Sequence, residues 1–242
     1  MNNIKRFLGI GALALLASVA VPKQAQAQNW STNLENTFAS KYVSNGILKG
    51  NHVVDRLKLE FKDEFNKGSL DFYALANIDF HEEEMTKLDF GINYSFFIGD
   101  DAAFETGYTR KMSKVGYGRK DTDVLLGRFT VDAPYQPSLE MEFNVHEGSY
   151  FGLSVQKPIH VLSSSGYGRT LTAGAEIGYN VHAFRKDAGF SHFETSLKIP
   201  LTMPRSGFLS KLNGDINVRY SVPLADDIKE HWIVEFNISK KL

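Results

Sequence analysis

The chain has 242 residues, with 27 Lys and Arg against 28 Asp and Glu for a formal net charge of −1, and no Cys. That balance lacks the basic excess of a nucleic-acid binder, and the missing thiols exclude disulfides and a lipoprotein anchor. With 18 Phe and 10 Tyr against only 7 Pro, the composition favours pleated, half-buried surfaces over helix.

Residues 1–27 read as a cleaved secretory signal peptide. Lys5 and Arg6 supply the positive end, Phe7 to Val21 an uncharged apolar run, and Ala25-Gln26-Ala27 a small-x-small cleavage site. The remaining 28–242 form one domain, with no linker and no apolar stretch long enough for a membrane-spanning helix. Loss of Lys5, Arg6 and Lys23 leaves 24 basic residues against 28 acidic, a net charge of −4.

From there the sequence alternates. Trp30, Thr32, Leu34, Phe38 and Tyr42 mark a first strand; Leu57, Leu59 and Phe61 a second, against Arg56, Lys58 and Glu60. Leu70 to Phe80 alternates against Asp71, Tyr73, Asn77 and Asp79, and Leu88 to Ile98 against Asp89, Gly91, Asn93 and Ser95. Four noisier segments follow, around Phe104–Tyr108, Leu125–Val131 with Arg128, Leu139–Val145 with Glu140 and Glu142, and Phe151–Val155, which Pro158 is expected to end. The pattern then sharpens: Leu171–Val181 against Glu176, Phe193–Leu201 against Lys198, Leu212–Val222 against Asp215 and Arg219, and Trp232–Ile238 against Glu235. Side chains on a strand point to alternate faces, so each segment has one apolar and one polar side.

Twelve candidate strands result. Their joints carry turn chemistry, including Ser44-Asn45-Gly46, Asn66-Lys67-Gly68, Gly99-Asp100-Asp101, Ser163 to Gly166 and Asp226-Asp227. None is long enough for a helical crossover, so neighbours pair as antiparallel hairpins. The apolar faces cover either a soluble core or lipid. Strand number and length match a bilayer-crossing barrel, and an even number returns both termini to one side. Aromatic residues near predicted strand ends (Trp30, Tyr42, Phe61, Phe80, Phe90, Phe104, Phe143, Phe184, Phe190, Trp232) suit interfacial belts. The expected fold is all-β, a transmembrane up-and-down antiparallel β-barrel of 12 strands in the bacterial outer membrane.

The first strand runs into Ser40-Lys41-Tyr42-Val43-Ser44-Asn45-Gly46. This resembles the opening signature of the TorF-like porins of Gram-negative bacteria, whose first strand ends in Ser-x-Tyr-x-x-Arg-Gly. Ser40, Tyr42 and Gly46 match, and Asn45 stands in the place of the Arg. The resemblance implies an outer-membrane barrel that passes small solutes. The close of the chain, Lys240-Lys241-Leu242, departs from the terminal aromatic that barrel-insertion machinery reads, the last aromatic being Phe236.

No residue pattern calls for catalysis or a cofactor. There is no Gly-x-Ser-x-Gly elbow and no His-Glu-x-x-His pair. The run His81-Glu82-Glu83-Glu84 is an acidic loop whose adjacent side chains cannot all converge on one ion. His146, Glu147 and Ser149 share a hairpin tip, and His182 and His192 flank another with inward-pointing rings. The leading expectation is a non-enzymatic channel for passive diffusion of small polar or charged solutes, with outer-membrane lipids, the solutes and the insertion machinery as partners. Its pore-lining candidates are Arg56, Lys58, Glu60, Asp71, Asp79, Arg128, Glu142, Glu176, Lys198, Asp215 and Arg219. Two alternatives stand beside it: a barrel enzyme acting on lipid or lipopolysaccharide through His146 or Ser149, and a soluble periplasmic β-protein binding an apolar ligand. Monomer and homo-oligomer are both open.

Overall fold

The computed structural model describes residues 30–44, 47–50, 52–80, 84–115, 118–145, 148–162, 168–181, 188–201, 203, 212–224 and 230–241. The expected signal peptide lies outside them, as do Asn45-Gly46, His81 to Glu83, His146-Glu147, Ser163 to Gly166, His182, Phe184 and Asp226-Asp227. The strands are β1 (Trp30–Ala39), β2 (Tyr42–Ser44), β3 (Ile47–Gly50), β4 (Val54–Phe65), β5 (Gly68–Asp79), β6 (Glu84–Ile98) and β7 (Ala102–Val115). They continue as β8 (Gly118–Val131), β9 (Ser138–Asn144), β10 (Gly148–Leu162), β11 (Gly168–Val181), β12 (Gly189–Pro200), β13 (Asn213–Pro223) and β14 (His231–Lys241).

Twelve of these, β1 and β4 to β14, form one closed barrel in chain order, and β1 pairs with β14 to shut it. All barrel pairings are antiparallel. The short β2–β3 hairpin stands apart, between β1 and β4. It corrects the first strand's expected extent: β1 ends at Ala39, and Tyr42 belongs to β2.

Alternation sorts the wall into two faces. Phe61, Phe72, Ile92, Tyr108, Leu125 and Phe143 lie side by side along successive ladders. The row beside it runs Glu35, Lys58, Leu75, Asp89, Lys111 and Thr122. The apolar row is exposed or half-buried, and the polar row points into the barrel. This inverts a soluble protein. Buried side chains include Asn77, Asn180, His192, Ser221 and Glu235, whereas Leu153, Phe190 and Trp232 are exposed, Trp232 at 60 %. Such an exterior is costly in water and stable against acyl chains. Outward charges sit toward the strand ends: Asp55, Arg110, Asp121 and Asp123 at the far rim, Asp63, Lys157 and Lys240 toward the rim where β1 begins and β14 ends.

The aromatic placement holds in part. Trp30, Phe80, Phe104, Phe190 and Trp232 lie at or near strand termini, but Phe61 and Phe90 lie within the apolar wall. Stacked or tilted pairs, Trp30 on Phe72 and Tyr220 on Trp232 (centroids 4.5 Å apart for the second), extend the rims into belts.

Pro158 does not end a strand. It lies within β10, opposite Thr172 of β11. The other neighbour, β9, starts only at Ser138, opposite Ser154; beyond that point β10 has no strand beside it, and on that side Gln156 N–H donates to the Tyr135 carbonyl at 2.9 Å. A missing N–H costs nothing at such an edge. In the turn between β6 and β7, Gly99 takes φ +66°, a left-handed conformation that favours Gly.

Inside the wall, the Tyr73 ring of β5 lies across Gly91 of β6, and its hydroxyl shares a 2.6 Å hydrogen bond with Thr109 of β7. A Cβ at Gly91 would sit 2.3 Å from the ring. Gly91→Ala is therefore expected to destabilise the barrel by about 1–3 kcal/mol through overpacking, and Tyr73→Phe by about 1 kcal/mol through the lost bond. Urea unfolding of both variants in lipid vesicles checks the order; equal stability of Gly91→Ala and the parent would contradict it.

Candidate functional site

The lumen carries the chain's concentrated polar chemistry. All eleven residues singled out from the sequence, Arg56, Lys58, Glu60, Asp71, Asp79, Arg128, Glu142, Glu176, Lys198, Asp215 and Arg219, lie on the inward face of their strands. They do not converge on one point. Cross-strand pairing divides them into clusters around the wall.

The largest cluster centres on Glu235 of β14. Its Oε1 accepts from Arg56 Nη2 of β4 at 2.5 Å and from Arg219 Nη2 of β13 at 2.8 Å, and its Oε2 accepts from Asn217 Nδ2 at 3.0 Å. Arg219 Nη1 continues to Glu194 of β12 at 3.2 Å. Arg56 reaches Glu235 across β1, so the cluster bridges the seam where the first barrel strand meets the last. The Glu235 side chain is only 7 % exposed. Charges this deep persist because each is paired and hydrogen-bonded.

Around the rest of the wall, Arg128 Nη1 meets Glu105 at 3.3 Å while its Nε donates to Glu140 at 2.9 Å. Lys111 meets Glu142 at 3.4 Å, Lys87 meets Asp89 at 2.7 Å, Lys58 meets Glu60 at 2.6 Å and Lys198 meets Asp215 at 3.2 Å. Lys111 reaches Glu142 across β8; the other partners sit on neighbouring strands or two apart on one strand, the spacing at which inward side chains adjoin.

The lumen is not uniform along its axis. In the far half, every barrel strand except β9 contributes a buried inward residue: Thr37, Val54, Asn77, Asp89, Thr109, Val124, Tyr150, Asn180, His192, Ser221 and Ile233 among them. They form a girdle. The near half is roomier. A cavity of about 350 Å³ is lined by Arg128, Gln136, Glu140, Ser154, Gln156 and Glu176, and one of about 400 Å³ by Thr170, Thr172, Lys198, Met203 and Asp215 with neighbouring residues.

One cluster escaped sequence reasoning. Ser191 Oγ and His192 Nδ1 lie 2.9 Å apart, His192 Nε2 is 3.5 Å from Glu176 Oε1, and Tyr150 donates to the same oxygen at 2.6 Å. Adjacent residues on a regular strand face opposite ways. Here the register shifts at Gly178/Tyr179, opposite this part of β12, and both side chains are buried. Gly178 leaves the room, since a Cβ there would lie 2.5 Å from the His192 ring. Serine, imidazole and carboxylate in line resemble a hydrolytic relay, but Ser191 and His192 are 0 % and 1 % exposed and no substrate reaches them. The cluster links β10, β11 and β12. Ser149, the other serine considered, is on the outward face opposite Phe143. Among the described residues no group of His, Asp and Glu has metal-binding geometry.

No protein-family model and no curated protein sequence matches the chain. Solved structures do. LpxR from Salmonella typhimurium aligns at a TM-score of 0.58 and 8 % identity, over 86 % of this chain and 99 % of that one. An outer-membrane channel from Pseudomonas putida F1 aligns at 0.54 and 9 %, over 88 % and 95 %. The NanC porin aligns at 0.52 and 10 %, over 87 % and 100 %. The chain has the outer-membrane β-barrel fold. With its apolar exterior band, it is an outer-membrane barrel.

Proposed function

We propose that this barrel is a narrow outer-membrane channel through which small polar and charged solutes diffuse, without catalysis. The observation that carries the reading is the interior, where acidic and basic residues recur from the near-rim cavities to the girdle and face a common axis. A wall built for structure alone could be filled with apolar or small side chains; charge pairs held in a low-dielectric wall are what a lumen uses to replace a solute's hydration. The porin and channel folds among its structural neighbours agree with this reading, as does the Ser40-Tyr42-Gly46 likeness to TorF-like porins. The girdle limits the solutes to small ones, and the insertion machinery would assemble the barrel through its last strand.

The test is single-channel recording of refolded residues 28–242 in a planar bilayer. Discrete small current steps are expected. Stable insertion that leaves the bilayer silent at every salt and voltage would overturn the channel.

A further inference from the structure

The charge of the lumen bears on which solutes it favours. Among the described inward side chains of the barrel, carboxylates outnumber Lys and Arg by thirteen to nine, as the ladder registers assign them. Eight of the nine cations are held in pairs, and two of them are shared: Arg128 between Glu105 and Glu140, and Arg219 between Glu194 and Glu235. The surplus is therefore negative, and a low-dielectric wall focuses its field along the axis.

Asp89 brings one of these carboxylates into the girdle, beside Asn77 of β5, two residues out of register on the same inward face. Lys87 meets its Oδ2 at 2.7 Å.

We infer that the lumen is selective for cations, taking small inorganic or ammonium-type cations in preference to anions. This rests on the channel reading above. The field of the surplus carboxylates, Asp89 in the girdle among them, draws the passing cation, while Lys87 holds the Asp89 carboxylate in place.

The experiment is the reversal potential of the bilayer-reconstituted chain across a KCl gradient, for the parent, Asp89→Asn and Glu60→Gln. K⁺ is expected to be favoured over Cl⁻ several-fold in the parent. Asp89→Asn should bring the ratio toward one by leaving the Lys87 charge uncompensated. Glu60→Gln, in the less buried part of the lumen, should shift it the same way by less and serves if Asp89→Asn does not refold. Current carried mainly by Cl⁻, or a ratio unmoved by both substitutions, would overturn the cation preference and leave the channel standing. No current in any gradient would overturn the channel, and this inference with it.

Discussion

Glu235→Ala is expected to lower the unfolding free energy of the barrel by about 3–5 kcal/mol, the cost of removing one partner from a buried ionic cluster. The carboxylate holds two guanidiniums, Arg56 and Arg219, which would be left in the lumen wall without their shared counter-ion. The Asn217 amide loses its acceptor as well. The position gives the loss its leverage, because the cluster spans the seam that closes the barrel. Glu235→Gln keeps an acceptor oxygen and should cost less. Equilibrium unfolding in urea with lipid vesicles measures both. A loss under about 0.5 kcal/mol for Glu235→Ala would mean that the cluster behaves as a solvated surface pair.

Ile92→Arg is the second large expected effect. Ile92 lies in the outward row between Phe72 and Tyr108, away from both rims. An arginine at the bilayer midplane costs about 2–4 kcal/mol, falling toward zero at the interfaces. Leu153→Arg should behave similarly, whereas Asp63→Arg, at the near rim opposite Trp30, should be almost neutral. Folding yield into vesicles and urea midpoints separate the three. Equal costs at Ile92 and Asp63 would contradict a bilayer bounded by these rims.

Much of this was legible in the sequence because strand alternation is a one-dimensional signal. Leu57 to Phe61 against Arg56 to Glu60 fixes which side chains share a face before any pairing is known, so all eleven lumen candidates fall inside. Closure could be expected from the even number of strands joined by short turns. What escaped depended on pairing. Pro158 reads as a strand end unless one knows that β9 begins too late to need its N–H. Ser191 and His192 read as opposite-facing until the irregularity at Gly178/Tyr179 places both in the interior. Tyr42 alternates with β1 in sequence, but the chain bends after Ala39 and starts a separate hairpin. The girdle was invisible for a further reason: burial of Asn77, Asn180 and Ser221 depends on what lies across the lumen, which no local pattern records.

The apolar face of each strand meets lipid. The chain's two tryptophans, Trp30 and Trp232, both lie on that face at opposite rims, which makes them its probes. The direct measurement is quenching of their fluorescence in vesicles of lipids brominated at different acyl depths. Strong quenching is expected, greatest for bromines near the headgroups and weaker for bromines near the bilayer centre. Emission that is unquenched at every depth, from a chain that stays in solution without vesicles or detergent, would contradict a lipid-facing wall and return the apolar face to a soluble assembly.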